Sequence, residues 1–158
     1  MRALRWLGVA WLAVLLVSPA AAGENPPGLS RGQTVYVPAY SHIYAGNREQ
    51  PLLLTVTVSI RNIDVGSAVT VDAVDYYDSK GKLLKRHVSK PVVLGPLETV
   101  RYVVPRADKA GGSGANFLVV WRSEKPANPL LVEAIMVDVE GQQGISFTSR
   151  GVVTATSN

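Results

Sequence analysis

The sequence predicts an all-β fold, an immunoglobulin-like β-sandwich of seven or eight strands, on three observations. Short runs of β-branched and aromatic residues alternate with polar ones. Gly, Pro, Asn and Asp break those runs roughly every 8–12 residues. Outside the first 22 residues, only Leu130 to Val139 would tolerate a helix, through Glu133, Ala134 and Met136, and its β-branched residues and missing cap favour a strand; no other segment keeps an apolar period of 3.6 residues long enough to count. A closed barrel fits the same pattern, and the residues leave both open.

Before any strand comes an address. Residues 1–22 read as a secretory signal peptide: Arg2 and Arg5 supply the positive end and Trp6 to Val17 the apolar run. Ser18-Pro19-Ala20-Ala21-Ala22 supplies the breaker and the small-x-small cleavage pattern. The run of about 12 residues falls short of the roughly 20 that span a bilayer, so cleavage after Ala22 is expected, not retention as an anchor. The expected destination is the periplasm or the medium. Residues 23–32 (GENPPGLSRG) hold two prolines and three glycines with no period, a flexible tether. Residues 33–158 are then a single domain.

Cleavage would remove two arginines and no acid, leaving 14 basic and 12 acidic side chains, a formal charge of +2. That is too little for the basic patch of a nucleic-acid binder. There is no cysteine, which excludes disulfides, thiol catalysis, cysteine-ligated metals and lipid attachment to a cysteine. Stability must come from a core, and a chain of this size buries about two-thirds of its unfolded surface.

Strand by strand, Thr34 to Val37 is short and meets Pro38, which suits an edge strand or a strand end. Pro51 to Asn62 alternates Leu54, Val56, Val58 and Ile60 with Thr55, Thr57, Ser59 and Arg61, one face buried and one wet. Val69 to Tyr77 follows, then a hairpin turn at Asp78-Ser79-Lys80-Gly81 and a returning arm from Lys82 to Val88. Pro91 to Leu94 is brief, and Thr99 to Val104 alternates again. A loop from Asp108 to Asn116 leads into Phe117 to Arg122. Leu130 to Val139 is apolar on both parities and β-branched, as in a central strand covered on both faces. Ile145 to Thr154 is the last.

Several of these segments are distinctive. Tyr36 to Tyr44 (YVPAYSHIY), Ser59 to Asn62 (SIRN), Val74 to Asp78 (VDYYD), Gly111 to Phe117 (GGSGANF) and Gln143 to Gly151 (QGISFTSRG) resemble the bacterial domain-of-unknown-function family 3124. The resemblance runs from about Tyr36 to Val152 and implies no activity. Some members look like lipoproteins, and with no cysteine here that anchorage does not carry over.

The chemistry-bearing residues are few. His42 and His87 sit apart, with no second ligand at metal spacing, so no metal site is expected. His87 reads as a solvated strand residue. His42, between Tyr40 and Tyr44, either fixes its own loop through the backbone or faces a ligand. Asp75-x-x-Asp78-Ser79-Lys80-Gly81 loosely resembles a calcium loop, but Lys80 and Lys82 repel cations and a hairpin needs the same Asp and Gly. Strict alternation puts Asp72 and Asp75 on opposite faces, against a carboxylate pair. Gly111-Gly112-Ser113-Gly114 lacks the ending of a phosphate loop and leads into a strand, leaving a loop that a partner can approach closely. Lys80, Lys82, Lys85 and Arg86 contact an anionic surface on one reading; on the favoured one they guard an edge strand. Trp121 reads as core. Gly144-Ile145-Ser146-Phe147-Thr148 lacks the second glycine of a nucleophile elbow.

The expectation is therefore an exported module with no catalytic residue and no cofactor, binding an envelope protein or glycan through loops at one end. His42, Tyr44, Ser113, Asn116 and Arg150 are the residues expected to carry that binding. The alternative is a structural module of the cell envelope that pairs through an edge strand, the first or the last. A hydrolase is disfavoured, because no nucleophile, base and acid assemble from the sequence.

Overall fold

The computed structural model describes residues 28–44, 47, 49–140 and 144–157. The expected signal peptide and most of the tether lie outside them. Twelve strands and no helix make up the described residues, so none contains a helix able to cross a membrane. The strands are β1 (Ser30–Pro38), β2 (His42–Tyr44), β3 (Pro51–Leu53), β4 (Thr55–Arg61), β5 (Val69–Tyr77) and β6 (Leu83–Arg86). They continue with β7 (Val92–Leu94), β8 (Thr99–Val104), β9 (Asn116–Ala127), β10 (Leu131–Asp138), β11 (Ile145–Arg150) and β12 (Val152–Ser157).

All pairings are antiparallel. One sheet runs β12-β1-β9-β5-β6, with β7 also on β5; a second runs β11-β10-β4-β8; β2 and β3 form a small ribbon. Among the described residues each sheet has open edges, and no barrel closes.

The alternation that predicts the strands also builds the core. Val35 and Val37 of β1, Val71, Val74 and Tyr76 of β5, and Phe117, Val119 and Trp121 of β9 are buried from the large sheet. Val56, Val58 and Ile60 of β4 and Val132, Ala134 and Met136 of β10 are buried from the second. They form one apolar cluster. Each large aliphatic or aromatic side chain removed from water in this way stabilises by about 1.5–3 kcal/mol.

Several expectations are corrected. The segment at Thr34 is no edge: β1 is nine residues long and lies between β9 and β12. It takes in Ser30 to Gly32, expected in the tether, because the Ser30 hydroxyl donates to the Gly32 carbonyl and accepts from the Gly32 amide. Pro38 does end it. Pro51 to Asn62 is two strands, broken at Leu54, whose amide donates to the Ser41 carbonyl; β3 joins the ribbon and β4 the second sheet. β10 is interior but is not covered on both faces, since Leu131, Glu133, Ile135 and Val137 are half-exposed. Its β-branched residues serve the pleat on the outer face too.

The segment from Ile145 is likewise two strands, β11 and β12, and they belong to different sheets. The chain changes sheet at Gly151, whose amide donates to the Val132 carbonyl while β12 moves on to pair with β1. Such splits, together with the short β2, β3 and β7, raise the strand number above seven or eight.

Candidate functional site

The register brings four of the five expected binding residues to one end of the molecule. Pro38 pairs with Asn116, and Asn116 with Tyr77, at the ends of β1, β9 and β5. Beyond them the chain folds back on itself. The Ser41 hydroxyl accepts from the Gly112 amide and donates to its carbonyl; the Ser79 hydroxyl accepts from the Gly114 amide and donates to the Gly111 carbonyl. Two serines thus clamp the loop that holds Ser113 between the ends of β1 and β5.

The glycines of that loop answer to packing. A Cβ on Gly111 would lie 1.9 Å from the Tyr76 hydroxyl, and Gly112 has φ +80° with the Ser79 Oγ at 2.6 Å from a Cβ. The Tyr76 hydroxyl is pushed up to about 12 by burial and, less, by the charge of Asp108. Asp78 accepts from the Lys80 and Lys82 amides, which closes the hairpin turn; those two amides hold its carboxyl below the usual range. Three acidic or histidine side chains placed to hold a metal ion are not found among the described residues.

At the same end, the half-exposed His42 meets the exposed Tyr44 edge to face, ring centroids 5.3 Å apart, with Nε2 3.3 Å from the hydroxyl. Of the residues expected to meet a ligand, His42 and Tyr44 are therefore engaged with one another.

Two other histidine and acid readings change. His87 is not a solvated residue. It is half-buried against Tyr102 of β8 and Phe117 of β9, with centroids 5.3 and 5.5 Å away. Burial, and then Lys85, push its imidazole below the usual value, with Asp75 opposing. Asp72 and Asp75 do not take opposite faces. A bulge between Val71 and Ala73 adds a residue, parity flips, and both carboxylates face outward. Asp72 pairs with Arg122 at 3.1 Å. Lys85 and Arg86 are exposed on β6, an edge of the large sheet, with Lys80 and Lys82 exposed in the turn before it.

Arg150 does not join the loop end. It pairs with Glu133 on the second sheet and points outward, in company the sequence does not announce. Register aligns Arg101 of β8, Ser59 of β4, Glu133 of β10 and Arg150 of β11 in one row across all four strands. Arg61 and Thr99 stand opposite one another in the next row of this face. A groove of about 310 Å³ lies here, lined by Thr57, Ser59, Arg61, Thr99, Arg101 and Ile135. Ser59, only 5% exposed, forms its floor, while Arg61 and Arg101 are exposed. Among the described residues no carboxylate forms an ion pair with Arg61, Arg101 or Arg150.

The sequence reading missed this arrangement. Arg61 is a wet-face residue by alternation, and Arg101 takes the same place with Thr99 and Val103 in the alternation of Thr99 to Val104, but nothing local says that those two strands are neighbours.

The opposite end is a polar knot. The Asn62 side chain donates to the carbonyls of Ser67, Leu94 and Gly95 and accepts from the Asp64 amide. Asp64, 8% exposed, accepts from the Asn128 amide and side chain and from the Gly66 and Ser67 amides. Those bonds, the Asn128 amide first and Gly66 next, bring its carboxyl to about 2. Beside it a hollow of about 330 Å³ is lined by Gly66, Ser67, Ala68, Thr70, Val93, Ser123, Glu124 and Lys125. Its single cation, Lys125, neighbours Glu124, so it lacks the unmatched charge of the arginine face.

Among solved structures, the crystal structure of Thermotoga maritima 1070 is similar, with 15% identity and a TM-score of 0.47 over 79% of this chain and 97% of that one. No curated protein matches. A family model described as "Protein of unknown function (DUF3124)" matches residues 32–154, a span from within β1 into β12. The chain belongs to that family, whose function is unknown.

Proposed function

We propose that this protein is an exported, non-catalytic binding module that holds an acidic glycan of the cell envelope on the outer face of its four-stranded sheet. The scaffold is read as an immunoglobulin-like β-sandwich. In support, the six-stranded and four-stranded sheets contribute to a single core. Residues 1–22, read as a signal peptide, favour work in the periplasm or outside the cell.

The observation that carries the reading is the unmatched charge at the groove. Arg61 and Arg101 occupy neighbouring rows on adjacent strands, where like charges oppose one another unless an anion lies between them. Guanidinium groups fork carboxylates with two parallel hydrogen bonds, the geometry a uronic acid offers. Thr57, Ser59 and Thr99 add hydroxyls for sugar oxygens, and Ile135 an apolar patch for a ring face. Among the described strand residues of this face Glu133 is the one carboxylate and no histidine stands beside it, which favours holding a ligand over turning it over.

The test is a titration of labelled protein with an oligogalacturonate, with a neutral galactose oligomer as control. Amide shifts should cluster on Thr57–Arg61 and Thr99–Arg101. Each of Arg61→Ala and Arg101→Ala should weaken binding about tenfold, as expected for a charge-assisted hydrogen bond of about 1.5–3 kcal/mol partly screened by water. Shifts centred on His42 and Ser113, or equal affinity for the neutral oligomer, would overturn the reading.

A further inference from the structure

Edge strands expose unpaired amides and carbonyls, and proteins commonly guard them with charge, proline or brevity. In the two larger sheets most edges follow that rule. β6 carries Lys85 and Arg86, β8 carries Arg101, and β11 carries Arg150. β7 is three residues long and follows Lys90 and Pro91. β12 is different: Val-Val-Thr-Ala-Thr-Ser has no charge, no proline and no glycine, and all six residues are exposed. On the neighbouring strand, Tyr36 pairs with Val152. Tyr36, Val152 and Val153, at 36%, 61% and 45% exposure, make this edge apolar as well as unpaired.

We propose that β12 is a self-association edge, along which two copies of this chain pair antiparallel and join their six-stranded sheets about a two-fold axis. Such an interface is isologous, so the strand need only tolerate itself. It does. With the axis between Thr154 and Ala155, Val152 meets Ser157, Val153 meets Thr156, and Thr154 meets Ala155. No like charges oppose one another, and the β-branched residues suit a pleated ladder. The edge is complementary to itself in this register, which makes a second copy the occupant.

One guard remains. Thr154 is the extra residue of a bulge opposite Thr34 and Val35, and its hydroxyl donates to the Thr34 carbonyl. Bulges twist edges away from partners. The ladder between copies is thereby divided into two short halves, and the dimer is a weak one that forms and parts with concentration.

Sedimentation equilibrium of the purified protein over micromolar to millimolar concentrations tests this. The expected result is a monomer–dimer equilibrium, with β12 amides exchanging more slowly as concentration rises. Val153→Lys should shift the midpoint to at least tenfold higher concentration. Ala155→Lys, further along the strand, should do the same if the first variant folds poorly. Lys85→Thr on β6 should change nothing. A monomer throughout, or a dimer that survives both lysines with the fold intact by circular dichroism, would overturn the proposal.

Discussion

A Cβ placed on Gly151 would sit 2.6 Å from Val35 Cγ1, 3.2 Å from the Val132 carbonyl oxygen and 3.2 Å from Val37 Cγ2. The residue stands where a strand leaves one sheet for the other, so backbone and side chains of both sheets close on it. Gly151→Ala should destabilise the protein by about 1–3 kcal/mol, the usual cost of overpacking. A lowered urea midpoint with an unchanged slope would show it, whereas Gly28→Ala, with nothing within 4 Å, should leave the midpoint where it is. In the sequence Gly151 sits inside a run read as one strand, and no local pattern says that the chain changes sheet there. Asp64 was equally hidden. Its ligand groups come from Gly66, Ser67 and the distant Asn128, and only the fold brings the last of these within reach.

Among the elements, β6 is an edge strand paired with β5 alone, and His87 helps to keep it there. The His87 amide donates to the Val74 carbonyl of β5, and its ring rests on Tyr102 and Phe117. Burial depresses the imidazole below its ordinary 6.5, so the folded state favours the neutral ring. The stability this contributes is present above pH 6.5 and is lost as pH falls through the lowered value. Amides of Leu83–Arg86 should then lose protection relative to β9 as pH falls below 6.5, once intrinsic rates are removed. His87→Phe should abolish that difference, and hydrogen exchange followed by NMR would read it.

The strand itself was legible from its turn chemistry, the aspartate and glycine of the hairpin. The packing of its histidine was not, because Tyr102 and Phe117 arrive from later in the chain. β5 teaches the same lesson about faces. Its β-branched and aromatic residues located Val69 to Tyr77 to the residue, yet one inserted residue at Asp72 reversed the parity that alternation assigned after it. Period-two reasoning finds a strand more surely than it finds which way each side chain points.

For the whole molecule, pairing is distant in sequence. β1 pairs with β9 and β12, and β9 also with β5. Loop closure on that scale must precede the reward of contact, which places folding at milliseconds to seconds, the slow end for a domain of this size. A fragment ending at residue 115 lacks the strand that joins β1 to β5. It should be digested as fast as the urea-unfolded chain, whereas the full chain resists; a protease time course on both decides the matter. The family, the strands and the apolar parity of the core were readable from local pattern. The arginine face was not, because it exists only where β4, β8, β10 and β11 lie side by side in register.

The position of β1 also governs how the molecule would bear load. A pull on the chain at Gly28 is directed along the axis of β1, which is bonded to β9 on one side and β12 on the other. Interstrand hydrogen bonds lie perpendicular to the strands, so such a force shears both ladders at once and does not open them bond by bond. A domain held by its amino-terminal end would therefore resist extraction along that line far better than peeling from the β6 edge.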